Sequence, residues 1–177
     1  YCTREWVGNE PFLLMLGDHL YLSDTETPCA QQLIDAFEAN GRKSVVGVYA
    51  ADLQEVPFYG TVAGVWTDDE QRLAEITEFA EKPSCEYASE NLITPGLAEN
   101  KFLCIYGQYV LTPGVFTQLQ NEIEADAREA GELQLTTALE KLRQAEGVLG
   151  YRIAGQHYDT GLPVPYVKTL QTIMNRK

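Results

Sequence analysis

The stretch that decides the fold is PFLLMLGD at residues 11–18. The run from Pro11 to Leu16 is apolar without interruption, which is typical of a strand buried on both faces in a mostly parallel sheet. Asp18 follows this strand directly. Because ligands of open α/β sheets bind at the carboxyl ends of the strands, Asp18 is a candidate ligand for a hard divalent cation. An aspartate that only caps a turn is the alternative interpretation.

The next two elements predict a strand–helix–strand unit. Residues 27–41 carry apolar side chains at i, i+3, i+4 and i+7, between a Thr-Pro start and an Asn-Gly end, and therefore predict a helix. The apolar run at residues 45–49 predicts a second buried strand. Since strand, helix and strand follow one another with short links, the pattern indicates parallel pairing in an α/β domain.

The rest of the chain alternates between strand and helix signals. Alternating apolar residues predict an antiparallel hairpin over residues 59–79 that departs from the parallel core. Residues 83–100 are rich in Pro, Gly and polar residues and predict a loop. The remaining predicted elements are a strand at 102–111, helices after Thr112-Pro113 and over 135–142, a short strand at 150–154, and a C-terminal helix with Val167, Leu170 and Ile173 or Met174 on one face.

The composition excludes several classes of function. The 177 residues are 45% hydrophobic, enough for a sizeable core, and carry a net charge of −13, so no basic face for nucleic acid is expected. No apolar run is long enough for a transmembrane helix. The four cysteines form no Cys-x-x-Cys pair and only two histidines are present, so a zinc site is not expected. A domain of this size and apolar content does not need disulfides, so reduced cysteines in a cytoplasmic protein are expected.

Further candidate residues lie at strand ends and turns. Asp159 stands in a strand-to-helix turn, where it could share a metal with an aspartate at the same sheet edge or simply cap the helix. Glu81 and Lys82 are adjacent on an extended chain, so their side chains are expected to point to opposite faces and not to pair. Lysine is suited to binding phosphate. Gly60 and Gly107 mark either a close backbone approach to a ligand or β-bulges.

Several catalytic motifs are missing or weak. The sequence contains no G-x-x-x-x-G-K-[ST] loop and no G-x-S-x-G elbow. His19 and His157 each lie beside a candidate loop and are interpreted as structural residues, or as neighbours of a ligand, rather than as catalysts. Cys85 and Cys104 are interpreted as packing residues.

Taken together, six stretches resemble the sugar-phosphate nucleotidyltransferases, and most closely the bacterial UTP–glucose-1-phosphate uridylyltransferases. Each is short, but they follow the family's order and span nearly the whole chain. They are LGDHL at 16–20, YGTV at 59–62, EKP at 81–83, GQYVL at 107–111, GELQLT at 131–136 and YDTG at 158–161.

This resemblance implies a doubly wound α/β fold with a mixed sheet, helices on both faces and a nucleotide-sugar cleft. It implies transfer of a uridylyl group from UTP to glucose 1-phosphate, with Mg²⁺ as cofactor. Asp18 and Asp159 match the magnesium-binding and catalytic aspartates, and Lys82 matches a catalytic lysine that contacts the sugar phosphate. The other matched residues belong to the sugar site: Glu81 for hydroxyls, Gly60 and Gly107 for backbone contact, and Tyr109 and Glu132 within matching motifs.

One part of the family pattern is absent. The family begins with a strand and a G-x-G-T-R loop that holds the nucleotide, whereas this sequence opens with YCTREW at residues 1–6. Residues 1–177 are therefore expected to be the C-terminal part of a single catalytic domain, inactive on its own and lacking the first strands of the sheet. An exposed sheet edge would favour association, so a homo-oligomer is expected.

Two other functions fit the same residues less completely. A non-catalytic sugar-phosphate or nucleotide-sugar binding module would explain the missing loop, but it would have little need for both aspartates. A metal-dependent glycosyltransferase also places aspartates at strand ends, but it does not share the EKP stretch at residues 81–83.

Overall fold

The computed structural model describes residues 1–128, 131–161 and 163–175. None of the helices within those ranges has the length and apolar character needed to cross a bilayer. The elements, in chain order, are α1 (Arg4–Val7), β1 (Phe12–Met15), β2 (His19–Ser23), α2 (Cys29–Ala39), β3 (Val45–Asp52), a 3₁₀ turn (Val56–Phe58), β4 (Thr61–Trp66), β5 (Leu73–Ala80), α3 (Cys85–Asn91), β6 (Lys101–Leu111), α4 (Gly114–Glu124), α5 (Leu135–Glu146), β7 (Leu149–Arg152), β8 (Gly155–Asp159) and α6 (Pro163–Asn175).

The main sheet has six strands in the order β1-β6-β3-β7-β5-β4, with β4 also pairing with part of β6. The predicted α/β class with a mixed sheet is confirmed, but the sheet contains fewer parallel pairs than predicted. Strands β3 and β7 are parallel, whereas β6 runs antiparallel to both β1 and β3. The β4–β5 hairpin is antiparallel as predicted, but it joins the main sheet through β7 and β6 instead of departing from it. The difference arises because an uninterrupted apolar run indicates that a strand is buried on both faces, but not the direction in which it runs.

Helices cover both faces of this sheet, as predicted. In β3, Val45 packs with Leu33 and Phe37 of α2, while the next residue, Val46, packs with Leu139 of α5 on the opposite face. All five side chains are at most 2% exposed. Because successive strand residues point to opposite faces, burial of both faces requires an uninterrupted apolar run.

Two predicted apolar faces are more exposed than expected. In β1, Leu13 and Met15 are 38% and 43% exposed, because this strand pairs only with β6 among the described residues and occupies an edge of the sheet. In α6, Val167 and Leu170 are also exposed, while Thr169 is buried. The predicted burial of β1 on both faces is therefore wrong for the described chain.

Strands β2 and β8 and helix α3 are not among the elements that the sequence predicts. Strands β2 and β8 form a separate antiparallel ribbon of two strands, which pairs residues 19–23 with residues 155–159. Each strand has only five residues, and the sequence of β8, GQHYD, is mostly polar. Helix α3 lies in the predicted loop and begins after Ser84, whose hydroxyl accepts a hydrogen bond from the Tyr87 amide at 3.1 Å. The ribbon is the element that positions the candidate site.

Candidate functional site

The two candidate aspartates come together at one end of the β2–β8 ribbon. Asp18 immediately precedes β2, and Asp159 ends β8 directly opposite His19. The turn after β8 is joined to Asp18, since the amide and the hydroxyl of Thr160 donate to the Asp18 carbonyl at 2.7 and 2.6 Å. These contacts hold the backbones that carry both carboxylates in a fixed relation.

The arrangement of these carboxylates fits a divalent cation. Asp18, Asp159 and His19 each offer one ligand atom, and the three atoms lie within 4.8 Å of one another. A Cβ atom on Gly161 would lie 2.9 Å from Asp18 Oδ2 and 3.2 Å from Asp159 Oδ1, so this glycine keeps space open beside both groups. Carboxylate oxygens are the ligands that hard cations such as Mg²⁺ prefer. The residues present therefore suit the cofactor that the sequence analysis predicted.

Glu81 and Lys82 pair with each other, contrary to the prediction. The Lys82 ammonium lies 3.6 Å from Glu81 Oε1, because β5 ends at Ala80 and the Lys82 backbone has a φ of +43° instead of an extended conformation. The side chain of Glu81 is 18% exposed and that of Lys82 is 59% exposed. The carboxylate is therefore held within the protein, while the ammonium remains open to an additional partner.

A threonine of α5 fixes the Glu81 carboxylate. The hydroxyl of Thr136, a buried residue, donates to Glu81 Oε2 at 2.5 Å. Gly60 lies beside this pair: a Cβ atom there would be 3.3 Å from Thr136 Oγ1, 3.5 Å from Glu81 Oε2 and 2.7 Å from Ile105 Cδ1. Gly60 thus permits a close approach to side chains of the site, and its contact with a ligand stays a prediction.

Gly107 occupies a bulge, one of the two predicted alternatives. The pairing of β3 with β6 shifts register opposite this residue, which has a φ of +90°. Its carbonyl accepts hydrogen bonds from the Leu16 amide at 3.0 Å and from the Tyr21 hydroxyl at 2.8 Å. The bulge therefore ties β6 to the segments on either side of Asp18.

Tyr109 and Glu132 lie in different surroundings. Tyr109 is 5% exposed and packs in the core, where burial raises the pKa of its hydroxyl and the nearby Tyr21 and Glu81 raise it further. Glu132 is exposed on the segment before α5. Direct contacts of Tyr109 and Glu132 with a sugar stay predictions.

An aromatic cluster beside Asp159 was not predicted. The His157 ring lies 4.5 Å from the Tyr49 ring and 5.4 Å from the His19 ring between centroids. Burial, together with the neighbouring His19, lowers the pKa of His157 to about 4. The only sequence signal was the position of His157 two residues before Asp159, on the same side of a strand. A cleft of about 490 Å³ opens here, lined among others by Tyr49, Tyr59, Tyr106, His157, Asp159 and Lys168.

Nearly the whole chain matches a known protein family. A model of the nucleotidyl transferase family, described as "Nucleotidyl transferase", matches residues 2–176. The chain belongs to this family. Among nucleotidyl transferases, it is 38% identical over 172 residues to UTP–glucose-1-phosphate uridylyltransferase 2 of Staphylococcus saprophyticus, and 34% identical over 169 residues to uridylyltransferase 1 of the same organism. Both alignments cover 96% of this chain and 52% of the relative.

Solved structures of nucleotidyl transferases agree with this assignment. A UDP-glucose pyrophosphorylase complexed with UDP-glucose superposes with a TM-score of 0.82 and 27% identity, over 99% of this chain and 60% of that protein. An apo UDP-glucose pyrophosphorylase gives a TM-score of 0.82 and 26% identity, over 98% and 57% of the two chains. The chain spans about half the length of the relatives it matches. The predicted nucleotidyltransferase family and its α/β fold are confirmed.

Proposed function

We propose that the complete gene product transfers the uridylyl group of UTP to glucose 1-phosphate, giving UDP-glucose and pyrophosphate. The observation that carries this proposal is the convergence of Asp18 and Asp159, with Gly161 leaving room beside both carboxylates. The substrates are inferred from the names of the relatives, which are uridylyltransferases acting on glucose 1-phosphate.

The proposed reaction needs no nucleophile from the protein. A phosphate oxygen of glucose 1-phosphate attacks the α-phosphorus of UTP, a new phosphorus–oxygen bond forms, and the bond to pyrophosphate breaks. Catalysis of this kind depends on positioning and on neutralising phosphate charge. The chain's contribution is to hold the sugar phosphate and to supply carboxylates for a cation.

Asp18 and Asp159 are proposed to hold Mg²⁺. When bound, this ion neutralises charge on phosphate oxygens. The two carboxylates concentrate negative charge at one end of the ribbon, in a chain whose net charge is −13. Such a protein attracts cations and repels free anions, so the bound cation and Lys82 together offset the repulsion of phosphate substrates.

Glu81 and Lys82 are proposed to bind different parts of the sugar phosphate. The Lys82 ammonium is more than half exposed, and its 3.6 Å separation from Glu81 is long for a charged hydrogen bond. It can therefore turn toward a phosphate at little cost. Glu81 has one oxygen occupied by Thr136, which leaves the rest of the carboxylate to accept hydrogen bonds from sugar hydroxyls.

Two substitutions are expected to separate these roles. Lys82→Ala should weaken glucose 1-phosphate binding by about 1.5–3 kcal/mol, because a charge-assisted contact is lost. Glu81→Gln should instead change the preference among sugar 1-phosphates more than the affinity for phosphate, because an amide accepts fewer hydroxyl hydrogen bonds. Titration calorimetry with glucose, galactose and mannose 1-phosphates would measure both. Equal losses of affinity for all three sugar phosphates in both variants would contradict the proposed separation of roles between Glu81 and Lys82.

Thr136 is expected to affect the binding of glucose 1-phosphate by holding the Glu81 carboxylate in place. Thr136→Val keeps the side-chain volume but removes the hydroxyl donor to the carboxylate, and should raise the KM for glucose 1-phosphate about threefold to tenfold, the equivalent of one lost hydrogen bond. Thr136→Ser keeps the hydroxyl and serves as the matched control, with a KM close to that of the unmodified protein. The KM for UTP should not change in either variant. A Thr136→Ser protein as impaired as Thr136→Val would show that packing, and not the hydrogen bond, is at issue.

A non-catalytic nucleotide-sugar binding module of the same fold is the second candidate. It would use the same residues, since a carboxylate and an exposed ammonium at Glu81 and Lys82 can bind a sugar phosphate without any transfer step. The decisive experiment measures pyrophosphate release from UTP and glucose 1-phosphate by the complete gene product in the presence of Mg²⁺. Steady release supports the transferase, whereas UDP-glucose binding without release supports the binding module.

We further infer a cytoplasmic setting, consistent with four free cysteines, and association into homo-oligomers.

A further inference from the structure

His19 is the unexpected member of the metal-site cluster. It is the first residue of β2 and lies directly across the ribbon from Asp159. One of its ring nitrogens lies within 4.8 Å of ligand atoms of both Asp18 and Asp159. Two ligands of one first-row cation lie up to about 4.2 Å apart, because each metal–ligand distance is about 2.1 Å. Small side-chain rotations would therefore bring all three groups onto one ion.

The surroundings of His19 leave its imidazole short of partners. Its Nδ1 atom is shielded from solvent and has no hydrogen-bond partner among the described residues. A buried polar atom without a partner destabilises the folded state. Gly107 makes room for the ring on this side, since a Cβ atom there would lie 2.8 Å from Nδ1. On another side the ring packs against His157. The imidazole is thus held beside two carboxylates, and its Nδ1 atom has no hydrogen-bond partner among the described residues.

We propose that His19 is a third protein ligand of the cation and that it shifts the metal preference of the site toward transition metals. Two carboxylates alone favour Mg²⁺, a hard cation. An imidazole nitrogen is a softer donor that suits Co²⁺, Ni²⁺ and Zn²⁺ better than Mg²⁺. A site of two oxygens and one nitrogen therefore gains more affinity for Co²⁺ than for Mg²⁺. This inference rests on the metal site of the proposed function, but it concerns binding and not turnover.

The test measures metal binding to the 177-residue chain without substrates. Titration calorimetry with Co²⁺ and with Mg²⁺ would compare the unmodified chain with His19→Gln, both in a Cys2→Ser background because Cys2 is an exposed thiol that could bind Co²⁺. His19→Gln should weaken Co²⁺ binding about tenfold or more, as loss of a metal-site group does, and Mg²⁺ binding less than about threefold. Equal loss for both metals, or no loss for Co²⁺, would overturn the proposal.

The second histidine provides a matched control. His157→Phe removes the other imidazole of the chain while keeping an aromatic ring in the cluster, and should leave the Co²⁺ affinity within about threefold. A tenfold loss in this variant with none in His19→Gln would assign the ligand to His157 and overturn the proposal.

A spectroscopic measurement covers the case in which a variant fails to fold. With only two histidines in the sequence, their side-chain ¹⁵N resonances in the unmodified chain can be separated, and Zn²⁺ serves as the diamagnetic probe. A selective shift of one His19 nitrogen on adding Zn²⁺ supports the proposal. Unshifted His19 nitrogens at saturating Zn²⁺ overturn it. Both results are independent of whether the complete gene product transfers uridylyl groups, so failure of one proposal remains distinguishable from failure of the other.

Discussion

Asp18→Asn is expected to remove nearly all uridylyl transfer by the complete gene product. The substitution keeps the size of the side chain but deletes one of the two carboxylate charges that face the space beside Gly161. A preorganised charge at a phosphoryl-transfer site is worth about 10²–10³-fold in kcat, and a fall of at least that size is expected. Pyrophosphate release at saturating UTP and glucose 1-phosphate would measure it.

The fold should survive this change. Asp18 is exposed, so the free energy of unfolding should move by less than about 1 kcal/mol. Asp69→Asn is the matched control, since Asp69 is an exposed aspartate in the turn between β4 and β5, and it should retain full activity. Asp18→Asn with near-normal magnesium-dependent turnover would remove Asp18 from the catalytic site.

Gly107→Ala is expected to destabilise the chain strongly. At a φ of +90° an alanine is strained, and its Cβ would lie 2.8 Å from both His19 Nδ1 and the Tyr21 hydroxyl. Backbone strain and overpacking each cost about 1–3 kcal/mol, so a loss of about 2–6 kcal/mol in the free energy of unfolding is expected. Urea denaturation of the 177-residue chain, followed by circular dichroism, would measure it.

The substitution Gly41→Ala separates the cost of backbone strain from the cost of overpacking. Gly41 also has a positive φ, of +69°, but nothing lies within 4 Å of the position of an added Cβ. This variant therefore reports backbone strain alone, and should lose only about 1 kcal/mol. If both alanines cost the same, overpacking of the added methyl group against His19 and Tyr21 contributes nothing to the loss.

Local patterns of apolar residues predicted several helices and strands well. The burial that creates the pattern is also what stabilises the helix or strand. The apolar run at residues 45–49 forms part of β3, since burial of both faces of a strand requires it. The i, i+3, i+4, i+7 stripe in residues 27–41 became α2 for the equivalent helical reason. Strand direction was less predictable, because the antiparallel placement of β6 beside β3 depends on contacts distant in the sequence.

For the candidate site too, local sequence identified single residues but not the contacts between residues distant in the sequence. Asp18 and Asp159 could be proposed from their turns, but their proximity depends on the β2–β8 ribbon, whose short strands leave little periodic signal. The sequence indicates only that His19 is a structural residue or a neighbour of a ligand, because nothing local identifies its partner across the ribbon. The contact between Glu81 and Lys82 was predicted wrongly because the positive φ of Lys82 ends the extended geometry on which the prediction rested.

The ribbon also has a consequence for the order of folding. The bond between the Thr160 hydroxyl and the Asp18 carbonyl joins residues 142 positions apart. Local structure alone cannot bring such a pair together, so we expect the two carboxylates to meet only as β2 and β8 pair. A cation that binds the paired carboxylates binds the native state and not the unfolded chain. Its binding would therefore stabilise the folded domain by an amount that rises with the ratio of the free cation concentration to the dissociation constant.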